Sequence, residues 1–219
     1  MNLEVWKILT EGVEYDGCGS TTVGAPHGNG YAIELETALL LYGLVRREQP
    51  TFVIETGTHW GFSAAVIGLA LKDNSLSHPR KMEGALFSVD SGAYEGKPEA
   101  LWKRCELGNI VHKVADSEIS ATYEKVPDGV VDLGYYDADH DGPAIFREYS
   151  STLRCLNRRR CILAWHDTSL DKRMAGGIYL ILEDLKKRQQ DGSGWRHISH
   201  WPMRNMRGID LTLLSNEDF

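Results

Sequence analysis

Positive charge is scarce in this chain and nowhere concentrated. Its 219 residues carry 24 Lys and Arg against 31 Asp and Glu, a formal net charge of -7. The densest cationic cluster, Arg158-Arg159-Arg160, sits just before an apolar run and reads as a solvated loop. A grip on nucleic acid, which needs a basic face to neutralise phosphates, is therefore not expected. Long apolar runs are also missing, and no stretch approaches the ~20 residues of a membrane span. The start, MNLEVWKILTEG, lacks the basic head and small-residue cleavage site of a secretory signal. Cysteine is sparse: positions 18, 105, 155 and 161 form no C-x-x-C pair and no framework spacing, which argues against zinc and against a disulfide scaffold. Cys155 and Cys161 read as buried thiols, and a reducing cytoplasm is the expected compartment.

What is present is a hydrophobic content of 42%, enough for one sizeable core. Residues 1–30 read as an N-terminal segment with a glycine-rich loop, GCGSTTVGAPHGNG, whose roles divide between a leader and a flap over a pocket. Residues 31–219 read as a single domain. Helical spacing over 31–48 ends before Pro50, and Phe52 to Leu71 (FVIETGTHWGFSAAVIGLAL) reads as strand, glycine turn and helix. A polar connection at 74–84 leads to the strand ALFSVD at 85–90. A helix-compatible stretch, Glu95 to Leu107, precedes a strand at 110–116, and residues 117–125 are weakly helical. Strand 130–139, helix 141–156, strand 161–167 and helix 174–190 follow. The last two strands, 195–201 and 208–215, have no helix between them and are expected to pair antiparallel. This alternation predicts an α/β fold with a mainly parallel sheet, helices on both faces and ligands at the carboxyl ends of the strands.

Those ends are all acidic: Glu55, Asp90, Asp116, Asp137 and Asp167. Each alone could cap the helix after it, but core packing does not ask for five in succession. The turn Gly57-Thr58-His59-Trp60-Gly61 is neither a G-x-G-x-x-G fingerprint nor a P-loop. With Glu55 nearby and no Lys or Arg between Phe52 and Leu71, a pyrophosphate would meet an uncompensated carboxylate. A ligand with an ammonium near Glu55 and a carboxylate at the helix N-terminus near Ser63 fits better. Asp90 is placed to accept from ribose hydroxyls and Asp116 from an adenine amino group. An amino acid joined to adenosine is S-adenosylmethionine.

The run E-T-G-T-H-W-G-F-S resembles the first motif of class I methyltransferases, in the E-x-G-x-x-x-G-[FY]-S form of the catechol and caffeoyl-CoA O-methyltransferases. Val89-Asp90 and Ala115-Asp116-Ser117 look like the second and third motifs, and the resemblance covers about residues 50–215. It implies a Rossmann-like methyltransferase fold with a seven-stranded sheet and an antiparallel last strand. It also implies a cofactor-binding set of Glu55, Gly57, Thr58, His59, Gly61, Ser63, Asp90, Asp116, Ser117 and Asp137. His59 reads equally as a partly exposed loop residue.

YYDADHDG (135–142) and AWHDT (164–168) end two strands expected at the sheet centre, so Asp137 and Asp167 should share a crevice. Two carboxylates without nearby Lys or Arg ask for a cation, Mg2+ or a similar divalent ion, the other reading being two helix-capping aspartates in a metal-free site. The D-x-D-H and H-D-T forms resemble the macrolide-sugar O-methyltransferase and cephalosporin-hydroxylase-like branch of the cation-dependent enzymes. That resemblance implies Asp137 and Asp167 as metal ligands and His140 as the base, where the catechol enzymes carry Lys. His166 is a further ligand candidate, with hydrogen bonding and packing as its other readings. Asp139 and Asp141 read as support and as a helix start. The expected activity is methyl transfer to a hydroxylated small molecule with adjacent oxygens. A non-catalytic cofactor- or nucleotide-binding module and a metal-dependent hydroxylase or hydrolase stay as alternatives, and a homo-oligomer stays open. Trp201 to Arg207 and the glycine-rich segment are the expected pocket walls.

Overall fold

In the computed structural model, residues 33, 35–77, 84–90, 97–115, 126–169, 172–203 and 208–217 are described. The expected leader and glycine-rich loop, the weak helix at 117–125, Asp116, Ser117 and most of the Trp201 to Arg207 turn lie outside them.

The sheet grows from β1 (Phe52–Thr56), whose residues Val53 to Thr56 are all buried. The glycine turn follows, and then α2 (Phe62–Ser77). In α2 every residue from Phe62 to Leu71 is buried, because it packs between the sheet, α1 (Leu35–Glu48) and α3 (Lys97–Arg104). A helix apolar on all sides is stable only when covered on all sides. It runs past its apolar stretch into what reads as a polar connection. Asn74 is buried there, donating to the Val45 carbonyl at 2.9 Å and accepting from Arg46 at 2.9 Å.

The remaining strands are β2 (Ala85–Asp90), β3 (Val111–Ala115), β4 (Leu133–Tyr136), β5 (Arg160–His166), β6 (His197–Met203) and β7 (Ile209–Ser215). Two helices, α4 (Gly142–Thr152) and α5 (Lys172–Gln190), lie between β4 and β6 in the chain. The sheet order is β3-β2-β1-β4-β5-β7-β6. Strands β3 to β5 are mutually parallel, whereas β7 runs antiparallel to both β5 and β6. The expected seven-stranded sheet with an antiparallel last strand is present.

Two differences are local. The strand read at 130–139 is only four residues long, although Asp132 just before it still bonds both neighbours through its backbone, donating to the Phe52 carbonyl and accepting from the Ile162 N–H, each at 2.9 Å. Its carboxylate accepts from the Thr51 backbone N–H at 2.7 Å and from Asn157 at 2.8 Å. Strand β6 continues through Pro202, which an edge position tolerates because no further strand needs its missing N–H. Within the cationic triplet, Arg158 lies over the Trp195 ring at 4.9 Å and Arg160 opens β5, pairing with Glu48.

The period-two pleat splits the core. Val53, Leu133, Tyr135, Ile162 and Ala164 face α1 to α3, while Ile54, Tyr136, Leu163 and Trp165 face α4 and α5. Glu55, Tyr135 and His166 therefore share the first face at its carboxyl end. Cys105, Cys155 and Cys161 are buried free thiols. Among the described residues no helix is long and apolar enough to cross a membrane.

The order reverses beside β1, whose chain successor β2 lies on one side and β4 on the other, so the crevice of this sheet opens above β1 and β4. There Gly57 has φ 88°, and a Cβ added to it would sit 2.3 Å from the Asp137 carbonyl oxygen. Gly57→Ala therefore combines a left-handed strain with a backbone clash. Urea unfolding is expected to show a loss on the order of 3 kcal/mol or more.

Candidate active site

The glycine turn is held by a buried polar cluster rather than by open loop geometry. Glu55 is fully buried, with Ser63 on one carboxyl oxygen at 2.5 Å and Ser88 on the other. Thr58, also buried, bonds Ser88 at 2.7 Å. Burial pushes the Glu55 carboxyl up to about 8 against the pull of the two serines, and Asp137 and Asp90 add to the rise. At neutral pH this group holds its proton, unlike the ionised partner for an ammonium that the sequence suggests. Its own chain's hydroxyls occupy it, and it stiffens the cradle from below. Thr58 likewise points its hydroxyl into the core.

Asp90 ends β2 and accepts the backbone N–H of His59 at 2.7 Å, which pins the turn to the neighbouring strand end. His59 has φ 47° and its ring meets Trp60 edge-on at 6.0 Å. Gly61, φ 79°, packs where a Cβ would lie 2.7 Å from both Pro98 and Trp102. The Trp102 indole N–H donates to the Gly61 carbonyl at 2.9 Å. That brace is not legible in the stretch from Glu95 to Leu107, where Trp102 reads as one apolar residue in a polar helix.

On the other side of the crevice the structure brings Asp137, His140, His166 and Asp167 together. Asp137 follows β4, its backbone N–H donating to the Thr56 carbonyl at 3.0 Å. One Asp137 oxygen accepts from the Tyr135 hydroxyl at 3.1 Å, and the other lies 3.0 Å from His166 Nδ1. His166 Nδ1 is also 3.4 Å from Asp167 Oδ1, while Asp167 Oδ2 lies 3.1 Å from His140 Nε2. Asp137, His166 and Asp167 each offer a ligand atom within 4.8 Å of the others. This donor set fits a divalent cation. Asp167 adopts φ 61°, a left-handed backbone uncommon for a residue other than glycine. The next residue anchors that bend, Thr168 donating to Asp210 at 2.8 Å. Asp139 accepts the Asp141 backbone N–H at 2.9 Å, and Asp141 is the N-cap of α4 without a side-chain cap bond.

Three supporting residues escape sequence reading. Tyr135 is fully buried, and its hydroxyl is held protonated by burial and by the nearby Asp137. Ser88 is a small polar residue among the apolar ones that lead to Asp90, the one signal that could have marked it. Glu148, on the buried side of α4, accepts from Thr56 at 3.0 Å. Burial, with Asp139 and Asp137 nearby, raises its carboxyl to about 7.

Residues 54–168, more than half of the chain, match a family described as a methyltransferase domain. The chain belongs to that family. Solved structures of the same fold include the O-methyltransferase TomG from Streptomyces achromogenes, involved in tomaymycin synthesis and determined in complex with SAM. It is 19% identical with a TM-score of 0.64, the match covering 84% of this chain and 82% of that one. The O-methyltransferase from Bacillus cereus, in complex with SAH, gives 15%, 0.64, 84% and 83%. The SAH-bound Podospora anserina methyltransferase PaMTH1 gives 14%, 0.57, 80% and 76%. At these identities the likeness is one of fold. No curated protein matches the chain.

Glu55 and Glu148 both bind their protons more tightly in the fold than unfolded, where they ionise near 4.5. Between about pH 4.5 and 8 the unfolded chain releases protons that the native state keeps, so stability falls as pH rises through that window. Glu148→Gln should match the parent near pH 5. Urea titrations at pH 5 and pH 8 should show its loss of stability between them smaller by on the order of 2 kcal/mol.

Proposed function

We propose that this protein transfers a methyl group from S-adenosylmethionine to a hydroxyl oxygen of a small molecule bearing two adjacent oxygens. The observation that carries the reading is the convergence of Asp137, His140, His166 and Asp167 beside the glycine turn that marks the family. The methyl leaves a sulfonium and joins oxygen in one in-line displacement, so the protein's work is positioning and charge handling. Gly57, Gly61 and the start of α2 form the cradle for the methyl donor, with Asp90 facing its ribose. Asp116 and Ser117 belong to the same proposal by position in the chain.

Asp137, Asp167 and His166 would hold a divalent cation, whose positive charge lowers the pKa of a substrate hydroxyl beside it. His140 takes the hydroxyl proton. Because Asp167 Oδ2 accepts from His140 Nε2, the proton of the neutral ring sits on Nε2 and the lone pair on Nδ1, an Asp–His arrangement that fixes the basic nitrogen. The buried thiols favour a reducing compartment, and we place the protein in the cytoplasm on that ground.

Calorimetry with S-adenosylmethionine should show binding that Asp90→Ala weakens about tenfold or more, the loss of hydrogen bonds to a charged acceptor. Absence of binding to the parent would overturn the donor. With a catechol or vicinal diol as acceptor, His140→Ala should lower kcat by about 10^2 to 10^4 while leaving donor affinity within about twofold. Unchanged turnover in that variant would remove His140 from the role. Methyl transfer that survives a chelator would remove the metal.

A further inference from the structure

The proposed metal-assisted reading leaves the identity of the ion open, and the donor atoms address it. From their chemistry we infer that the site selects a first-row transition dication of the Mn2+ or Fe2+ kind over Mg2+, and that His166 is the residue responsible.

His166 has none of its surface exposed, and its ring packs 6.3 Å from that of Tyr135. It is the last residue of β5, fixed by ladder pairing with Ile209 on β7. The ring therefore has little room to swing aside when an ion enters. Its Nδ1 lies 3.0 Å from Asp137 Oδ1 and 3.4 Å from Asp167 Oδ1. Donors held ~2.1 Å from one dication lie roughly 3.0 Å apart at right angles and roughly 3.4 Å apart at the tetrahedral angle. The two separations match adjacent ligands of a single ion. An Nδ1–H can donate to the carboxylates in the ion's absence, but it would face a bound cation directly. Shifting the proton to Nε2 turns the Nδ1 lone pair towards the ion, at no cost in ring movement.

The donor set is then two carboxylate oxygens and one imidazole nitrogen. Mg2+ prefers oxygen ligands and sheds water reluctantly, so a buried nitrogen in place of an oxygen works against it. Carboxylates suit Mg2+ and Mn2+ alike, whereas imidazole suits the transition ions, so the nitrogen tips the mixed set towards that part of the series. Asp or Glu at position 166 would remove the discrimination by restoring an oxygen.

The test uses the full chain. Calorimetric titrations with Mn2+ and with Mg2+ are compared for the parent and for His166→Asp, alongside the electron spin-echo modulation of the Mn2+-loaded parent. The parent should bind Mn2+ about thirtyfold more tightly than Mg2+, with a 14N coupling from a directly bound nitrogen. In His166→Asp the ratio should fall about tenfold. The spectroscopic result is independent of whether the variant folds. If both ions bind the parent but without preference, or if the 14N coupling is absent, the assignment of His166 is overturned while a metal-assisted reaction stands. If neither ion binds the parent, with or without S-adenosylhomocysteine, the metal reading itself falls and this inference falls with it.

Discussion

The backbone of Gly57 lies against the carbonyl of Asp137, closer than any side chain would permit. The rest of the site depends on that approach. It brings the turn after β1 to the end of β4 at the point where the strand order reverses, and a parallel sheet leaves its crevice there. The Asp137 N–H to Thr56 carbonyl bond closes the same junction. The cradle of the methyl-donor motif and the acid that begins the second half of the site are thus one rigid joint. A side chain at position 57 would force them apart.

Around that joint the protein buries several acidic groups close together, and burial raises the carboxyls of two of them. Glu55 and Glu148 lie on opposite faces of the sheet, each fully buried with a hydroxyl partner, and burial raises the first carboxyl to about 8 and the second to about 7. Tyr135, between Glu55 and Asp137, keeps its proton. Asp137 and Asp167 close the crevice beside them, with His166 and His140 as basic neighbours. Asp137 also accepts from the buried Tyr135 hydroxyl, and Asp137, His166 and Asp167 each offer one donor atom within 4.8 Å of the others.

Much of this was legible in the chain. The alternation of strands and helices, the antiparallel last pair and the strand-end acids follow from periodicities of two and 3.6 and from where apolar runs stop. That Asp137 and Asp167 share a crevice follows as well, since adjacent parallel strands end at the same edge. The supporting shell was not legible. Ser88 reaches Glu55 because β2 pairs with β1 in a register that sets the two residues opposite each other. Trp102 reaches Gly61 through the docking of α3, and Glu148 reaches Thr56 through the rotation of α4. Nothing local encodes any of these. The role of Glu55 changed for the same reason: its charge was judged from the absence of a neighbouring cation in the chain, whereas its burial and its two serines decide that it stays neutral.

By itself, then, the sequence determined the order of elements, the family's glycine turn and the kinds of side chain that end each strand, because these depend on residues near one another along the chain. Register, helix rotation and depth were decided by the tertiary structure. They settle which hydroxyl meets which carboxylate, which acid keeps its proton, and that the Nδ1 of His166 stands between Asp137 and Asp167. Desolvation and hydrogen bonding act through space, over distances the chain brings together only when the sheet closes.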